Sequence, residues 1–185
     1  MDFLARHQCL IYKGSPEAHL PGLAALIYGK LKTNHRCLYL HNPAMVAGIT
    51  SYLFAAGIDV NHELSRGALV LSSDQRHLVD GRFDVGSMLA SIANAVDQAL
   101  RDGYAGLWAT GDMTWEFGTD RNFEKLVEYE HGLERLFHRY PALAGICQYH
   151  EDTLPHQVIQ DARNLHQYVY LNETLSKIKA SSGPS

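Results

Sequence analysis

Short apolar runs alternate with amphipathic stretches along most of the chain. The apolar runs are typical of buried strands, whereas Leu20, Leu23, Ala24, Ile27 and Leu31 recur at the spacing of one helical face. Strands that alternate with helices form parallel sheets, because each helix carries the chain back across one face. The pattern therefore predicts an α/β fold with a mostly parallel central sheet flanked by helices on both faces.

Six strands are predicted, and each is bounded by turn-forming or helical residues. They cover residues 8–12, 37–40, 69–72, 106–110, 144–149 and 168–171. The first helix has a clear start, since Ser15 can cap it and Pro16 suits its first position. Asn42 can likewise cap the second helix. A long helix is predicted from about Asn122 to Tyr140.

The composition argues for one globular domain. The chain has 185 residues, of which 46 % are hydrophobic, enough to bury a core without disulfide or metal support. We expect a single domain over residues 1–171 and a disordered tail over 172–185. The three cysteines, Cys9, Cys37 and Cys147, are odd in number and lie in apolar stretches, which favours reduced thiols in the cytoplasm.

The charge distribution argues against a nucleic-acid partner. With 16 basic and 20 acidic residues the net charge is −4, and no run of Lys or Arg forms a basic face, so direct binding to nucleic acid is not expected. No apolar run approaches the roughly 18 to 20 residues of a membrane span, and no secretory leader begins the sequence. We therefore expect a cytoplasmic protein without a membrane contact.

The loops at the carboxyl ends of the strands are the first place to look for a ligand. Open parallel sheets bind ligands beyond these ends, and aromatic and polar groups there suit a small-molecule pocket. The candidate ligand-binding residues are Tyr12, Lys13, His41, Asp112, Trp115, Glu130, Cys147 and Tyr149. In the main hypothesis Tyr12, His41, Trp115, Glu130 and Tyr149 line one pocket at this edge.

Glu130 is the most informative of these residues, because helical spacing places it within the apolar stripe of the long helix. A carboxylate at such a position is costly unless it is paired. Two interpretations stay open. Glu130 either lies at the edge of the stripe, where it reaches solvent or pairs with Arg135 or a neighbouring helix, or forms the wall of a pocket.

The segment from Tyr12 to His19 occupies the position at which a nucleotide-binding protein carries G-x-x-x-x-G-K-[ST]. That motif is absent, Pro16 removes a backbone donor, and Glu17 places an anion where phosphates would lie. ATP hydrolysis by the usual route is therefore disfavoured. The enzymatic alternative is a divergent nucleotide hydrolase that uses Lys13 and Asp112, but no catalytic residue is assigned.

Histidine and cysteine are numerous enough to raise the question of a metal. His7-x-Cys9 and Cys147-x-x-His150 offer two imidazoles and two thiolates, yet Cys147 and His150 point to opposite faces of their strand. Ordinary core cysteines and polar histidines are favoured, so no metal and no other cofactor is predicted. A metal, haem or redox sensor that uses His7, Cys9 and Cys147 is the second alternative.

Several short motifs, in their order and spacing, resemble the MEDS family, the sensory domain of methanogens, methylotrophs and the dichloromethane-responsive repressor. The resemblance extends from about His7 to Leu171. It rests on HQCLIY at 7–12, RCLY at 36–39, GIDV at 57–60, GDMTW at 111–115, YE at 129–130 and CQY at 147–149.

This resemblance implies a degenerate RecA-like fold, related to clock-protein ATPases, that has lost the phosphate-binding loop. It also implies a signal-transduction domain that senses a small hydrocarbon-derived or one-carbon-related molecule. Such domains act beside a histidine kinase or in transcription regulation. Only a short tail follows Leu171, so we expect either a separate kinase or transcriptional regulator as output partner or an output domain outside this sequence. A homodimer is the default assembly.

Overall fold

The computed structural model describes residues 6–73, 78–79, 82–114, 123–166, 168–171 and 176–179. The strands within them are β1 (His7–Tyr12), β2 (His35–His41), β3 (Leu69–Ser73), β4 (Leu78–Val79), β5 (Arg82–Phe83), β6 (Gly106–Asp112), β7 (Leu143–His150), β8 (Tyr168–Leu171) and β9 (Ser176–Lys179). The helices are α1 (Leu20–Lys32), α2 (Pro43–Ala55), α3 (Val60–Ser65), α4 (Val85–Arg101), α5 (Phe123–Arg139) and α6 (His156–Leu165). Among these helices none is long and apolar enough to cross a membrane.

Seven of the described strands form one sheet in the order β3-β2-β6-β7-β1-β8-β9. The first six of these strands run parallel, and β9 is antiparallel to β8. These six are the six strands that the apolar runs predict. The expected α/β architecture with a mostly parallel sheet is therefore confirmed.

Helices cover both faces of the sheet. The thiol of Cys37 lies 3.8 Å from the carbonyl oxygen of Ile27, which places α1 on the Cys37 face. Leu38 points the other way, toward Ile92 of α4 and Leu133 of α5. The pairs α1 with α2 and α4 with α5 pack side by side, so each face of the sheet is covered by its own pair of helices.

The predicted caps are present, with one local difference. Ser15 caps a short 3-10 helix, Pro16–His19, and α1 begins only after it at Leu20. The side chain of Asn42 accepts a hydrogen bond from the backbone N–H of Met45 at 3.0 Å and so starts α2. These local signals act over three residues, which is why the sequence alone reveals them.

Three short strands were not expected from the sequence. A ribbon of β4 and β5 lies between the predicted strand 69–72 and α4, where no strand is predicted, and β9 lies in the stretch predicted to be a disordered tail. The tail expectation is corrected for Ser176–Lys179 only, since the rest of 172–185 is outside the described residues. Such short segments are too short to show a hydrophobic period. Their strand conformation depends on pairing with a neighbouring strand, which the sequence does not reveal.

Candidate functional site

Buried polar side chains gather on both faces of the sheet. The carboxyl-edge cluster lies on the α1 face and consists of Tyr12, His19, His41, Asp112 and Gln148. The histidine–glutamate cluster lies on the α5 face and consists of His7, Glu130, Cys147, Tyr149 and His166. A small apolar cavity adjoins the second cluster. These three features are the candidate sites.

The carboxyl-edge cluster is built where three parallel strands end. Tyr12 ends β1 and its hydroxyl donates a hydrogen bond to Oδ2 of Asp112, which ends β6, at 2.5 Å. His41 ends β2 and places Nε2 3.4 Å from the same oxygen. Oδ1 of Asp112 accepts from the backbone N–H of Thr114 at 2.7 Å and from the Thr114 hydroxyl. Asp112 is 0 % exposed, so protein groups supply its hydrogen bonds.

These contacts determine the charge of the cluster. Burial by itself would raise the pKa of Asp112, but the neighbouring His41 and the hydrogen bonds from Thr114 and Tyr12 lower the pKa on balance. Burial and the adjacent carboxylate both raise the pKa of Tyr12. Asp112 is therefore an anion and Tyr12 is a neutral donor to it.

His19 extends the same cluster toward β7. Its Nε2 lies 3.0 Å from Oε1 of Gln148, and the amide nitrogen of Gln148 donates to the Thr110 hydroxyl at 2.8 Å. Because Oε1 only accepts, Nε2 of His19 carries the proton. The His19 side chain is 1 % exposed, and burial lowers its pKa to about 4. His19 is therefore neutral near pH 7.

Lys13 does not join this cluster. It is 68 % exposed, and its Nζ lies 3.7 Å from Oε2 of Glu151. The backbone N–H of Gly14, which a phosphate would need as a donor, donates a hydrogen bond to Oδ2 of Asp152 at 2.7 Å. The loop after β1 therefore has no phosphate-binding arrangement in its described residues, in agreement with the missing sequence motif. Trp115 lies outside the described residues.

The histidine–glutamate cluster is assembled by strand pairing. β1 and β7 are parallel neighbours in the register His7 with Gly145 and Cys9 with Cys147. His7 and Cys147 therefore point to the same face, and Nε2 of His7 lies 3.6 Å from Sγ of Cys147. α5 lies over this face and contributes Glu130, while His166 follows the end of α6.

Glu130 is at the centre of this cluster and is 3 % exposed. Its Oε1 accepts a hydrogen bond from the Tyr149 hydroxyl. Its Oε2 lies 3.5 Å from Nε2 of His7 and 3.7 Å from Nε2 of His166, and it accepts no hydrogen bond from the described residues. Glu130 therefore does not reach solvent, and its partners are His7, Tyr149 and His166 rather than Arg135.

The ionisation of this cluster follows from the same neighbours. Burial would raise the pKa of Glu130, but His7, His166 and Tyr149 lower it on balance. Burial would likewise lower the pKa of His7, but Glu130 and Glu134 raise it on balance. Burial lowers the pKa of His166 to about 4. The cluster thus holds a carboxylate, and one atom each of His7, Glu130, Cys147 and His166 lies within 4.8 Å of the other three.

The candidate residues within the described part of the chain consequently do not line one pocket. Tyr12, His41 and Asp112 meet on the α1 face, whereas Glu130, Cys147 and Tyr149 meet on the α5 face. The hypothesis of a single pocket from Tyr12, His41, Glu130 and Tyr149 is wrong in this respect. Alternate residues of a strand point to opposite faces, so residues near the same edge are separated by the sheet itself.

Three participants, His19, Gln148 and His166, are not among the candidates predicted from the sequence. His19 precedes Leu23 and Ile27 at four-residue spacing, so helical periodicity could have placed it on the buried stripe. His166 lies between a helix and a strand at the amino end of β8, the end opposite to the one searched. No pattern in the sequence indicates that it meets His7, whose Nε2 is 3.1 Å away.

An apolar cavity of about 40 Å³ lies between the sheet and the helices α4 and α5. Its walls include Leu38, Leu40, Ile92, Ala109, Gly111, Met113, Tyr129, Leu133, Phe137, Gly145 and Cys147. Cys147 belongs to both the cavity and the histidine–glutamate cluster, and the Phe137 ring stacks on His7 with centroids 4.3 Å apart. The cavity and the cluster are therefore adjacent.

Comparisons with known proteins support the fold and the family. A comparison with protein families matches residues 6–167 to MEDS, the MEthanogen/methylotroph, DcmR Sensory domain. A comparison with curated protein sequences found no match. Among solved structures, the flagellar accessory protein FlaH from Methanocaldococcus jannaschii is similar in fold, with a TM-score of 0.59 and 15 % identity over 89 % of this chain and 70 % of that one. The α/β fold is thus of the RecA-like type.

Proposed function

The chain belongs to the MEDS family of sensory domains, and from this premise we propose that it senses a small molecule in cytoplasmic signal transduction. The ligand binds in the cavity between the sheet and the helices α4 and α5. It is a hydrocarbon-derived or one-carbon-related molecule, and the output is passed to a separate kinase or transcriptional regulator. The observation that carries the proposal is the apolar cavity itself.

The size and the lining of the cavity favour such a ligand. A single water needs roughly 10–15 Å³ of comparable space, so about 40 Å³ accepts a molecule of only a few heavy atoms. Leu38, Ile92 and Leu133 present aliphatic groups to this space, and the sulfur of Met113 is polarizable. An apolar molecule such as dichloromethane suits these walls, while a nucleotide is far too large for them.

The carboxyl-edge cluster is less suited to bind a ligand. Its anion, Asp112, already accepts hydrogen bonds from Tyr12 and Thr114. A ligand there would have to displace a buried, charge-assisted hydrogen bond without reproducing it, which costs binding free energy.

Signal transfer requires that the ligand favour one of two states of the domain. The cavity is bordered by the sheet on one side and by α4 and α5 on the other. A bound molecule therefore changes the packing of these two helices against the strands. Since both helices also present an exposed side, such a change is available to an output partner.

Titration of the methyl-labelled protein with dichloromethane and with methanol tests the proposal. We expect saturable chemical-shift changes at the methyl groups of Ile92, Met113 and Leu133, together with a higher melting temperature. In Leu133→Phe the added ring fills the cavity, and binding is lost. Leu100→Phe is the matched control, because Leu100 lies on α4 but is exposed and outside the cavity.

Two outcomes would overturn the proposal. One is the absence of saturable shifts at the cavity methyl groups with both probes. The other is that Leu133→Phe and Leu100→Phe bind the probe equally strongly, which would show that the probe binds elsewhere on the protein.

A further inference from the structure

We propose that His7, Glu130, Cys147 and His166 form a buried site for one divalent transition-metal ion, of which Zn²⁺ is the best match. This inference goes beyond small-molecule sensing and rests on different residues, apart from Cys147. It also departs from the sequence-based expectation that no metal is bound. Four features of the histidine–glutamate cluster support it: the distances between the ligand atoms, the tautomers of the two histidines, the charge balance and the burial of all four ligands.

Four of the six distances between the ligand atoms are close to those of a tetrahedral site, and all six are within 4.8 Å. Zn–N bonds of about 2.0–2.1 Å and Zn–S bonds of about 2.3 Å place the ligand atoms about 3.3–3.7 Å from one another. In the cluster the two histidine Nε2 atoms are 3.1 Å apart, and Nε2 of His7 is 3.6 Å from Sγ of Cys147. Oε2 of Glu130 is 3.5 Å from His7 and 3.7 Å from His166. Only small shifts of the side chains are needed to admit an ion.

Hydrogen bonds to groups outside the cluster fix the tautomers of His7 and His166. Nδ1 of His166 lies 2.8 Å from the carbonyl oxygen of Ala162, which only accepts, so Nδ1 carries the proton. Nδ1 of His7 lies 2.8 Å from a carboxylate oxygen of Glu134 and is likewise a donor. In the neutral rings both Nε2 lone pairs therefore point at the same space. Outer hydrogen bonds of this kind orient the histidine ligands of metal sites.

The inner atoms of the cluster need a proton or a cation between them. The two Nε2 atoms lie 3.1 Å apart, so a proton or a metal ion must lie between them, and Oε2 of Glu130 is buried and accepts no hydrogen bond from the described residues. Buried acceptors that face one another are costly unless a proton or a metal ion lies between them. With a divalent ion, the Glu130 carboxylate and a Cys147 thiolate balance the charge to zero.

The site is closed by protein. All four ligands are buried, and Tyr149 holds the other oxygen of Glu130. Four protein ligands without an open position are typical of structural zinc sites rather than catalytic ones. On binding, the Cys147 S–H bond breaks, a bond from Sγ to the metal forms, and the proton leaves to solvent. The ion then ties β1, β7 and α5 to the junction of α6 and β8.

Metal binding by the untagged full-length protein tests this inference. The protein is dialysed against a chelator and titrated with Zn²⁺ in competition with a chromophoric chelator, and in parallel with Co²⁺. We expect one equivalent of metal per chain, and with Co²⁺ a thiolate-to-cobalt charge-transfer absorption band. Cys147→Ala and His166→Ala should each weaken Zn²⁺ binding at least about 100-fold.

Cys9→Ala is the matched control. Cys9 is a buried thiol that pairs in register with Cys147, but it does not belong to the ligand set. Its removal should leave the stoichiometry, the affinity and the cobalt band unchanged. The inference is overturned if the wild-type protein binds no metal, if its cobalt complex lacks the thiolate band, or if Cys147→Ala and Cys9→Ala bind Zn²⁺ equally well. The first two outcomes are read on the wild-type protein, so they decide the question even where a variant fails to fold.

Discussion

The hydroxyl of Tyr12 donates a hydrogen bond of 2.5 Å to Oδ2 of Asp112, a residue 100 positions further along the chain. β1 and β6 are not direct neighbours in the sheet, since β7 lies between them. The contact therefore bridges two strands over a third at the edge where ligands of such folds usually bind. In this protein the edge is occupied by a hydrogen-bonded pair of its own side chains.

Tyr12→Phe should destabilise the folded protein. The substitution removes one donor to the buried Asp112 carboxylate, which should lower the free energy of unfolding by about 1–3 kcal/mol. Urea unfolding at pH 7 followed by circular dichroism measures the change. Tyr52→Phe, at an exposed position on α2, is the control and should change the stability by less than about 0.5 kcal/mol. Equal stability of the two variants would show that the Tyr12 hydrogen bond contributes nothing.

His19 should make the stability depend on pH between about 4 and 6.5. Its pKa is lowered by burial from 6.5 to about 4, so in this window the unfolded chain takes up a proton that the folded protein does not. Unfolding is therefore favoured as the pH falls, by up to about 1.4 kcal/mol per pH unit. Above pH 6.5 this contribution to stability is fully present.

The variant His19→Gln isolates this effect, because the other titrating groups stay in place. Chemical unfolding of both proteins at several pH values gives the comparison. We expect the wild-type protein to lose on the order of 2–3 kcal/mol more than the variant between pH 6.5 and pH 4. Parallel pH profiles in that range would contradict the assignment.

Gly145→Ala should be strongly destabilising. A Cβ at this position in β7 would lie 2.4 Å from the carbonyl oxygen of Ala109 in β6, and a backbone atom cannot move aside without disturbing the sheet. We expect a loss of about 2–4 kcal/mol, measured by thermal and urea unfolding. Gly29→Ala in α1 is the opposite case, because a Cβ there meets nothing within 4 Å. It should stabilise the helix by about 0.5–1 kcal/mol. A neutral Gly145→Ala would show that β6 and β7 lie further apart.

Removal of metal should lower the melting temperature. If Zn²⁺ binds only the folded state, a free concentration of 100 times the dissociation constant stabilises it by about 2.7 kcal/mol. Differential scanning calorimetry of the chelator-treated protein with and without added Zn²⁺ measures this. Cys9→Ala should keep the stabilisation and Cys147→Ala should lose it. A melting temperature that Zn²⁺ leaves unchanged in the wild-type protein would speak against a buried site.

Local signals in the sequence were sufficient to predict the six parallel strands and the starts of two helices. Apolar runs predicted six strands, and Ser15 and Asn42 marked helix starts, because capping and periodicity act over a few residues. The alternation of strands and helices indicated the parallel α/β fold, and the residues after Tyr12 showed that the phosphate-binding loop is absent. The family resemblance also came from motifs that are local in sequence, and the match over residues 6–167 confirmed it.

The partners of the polar side chains were decided by the tertiary structure. Strand order placed His7 beside Cys147, 140 positions away, and the packing of α5 on this face brought Glu130 to both. The alternation of side chains across the sheet then separated Tyr12 and His41 from Glu130 and Tyr149, although sequence analysis had grouped them. Periodicity tells whether a residue is buried, but strand order and helix packing are long-range, so only the folded chain determines which buried groups meet.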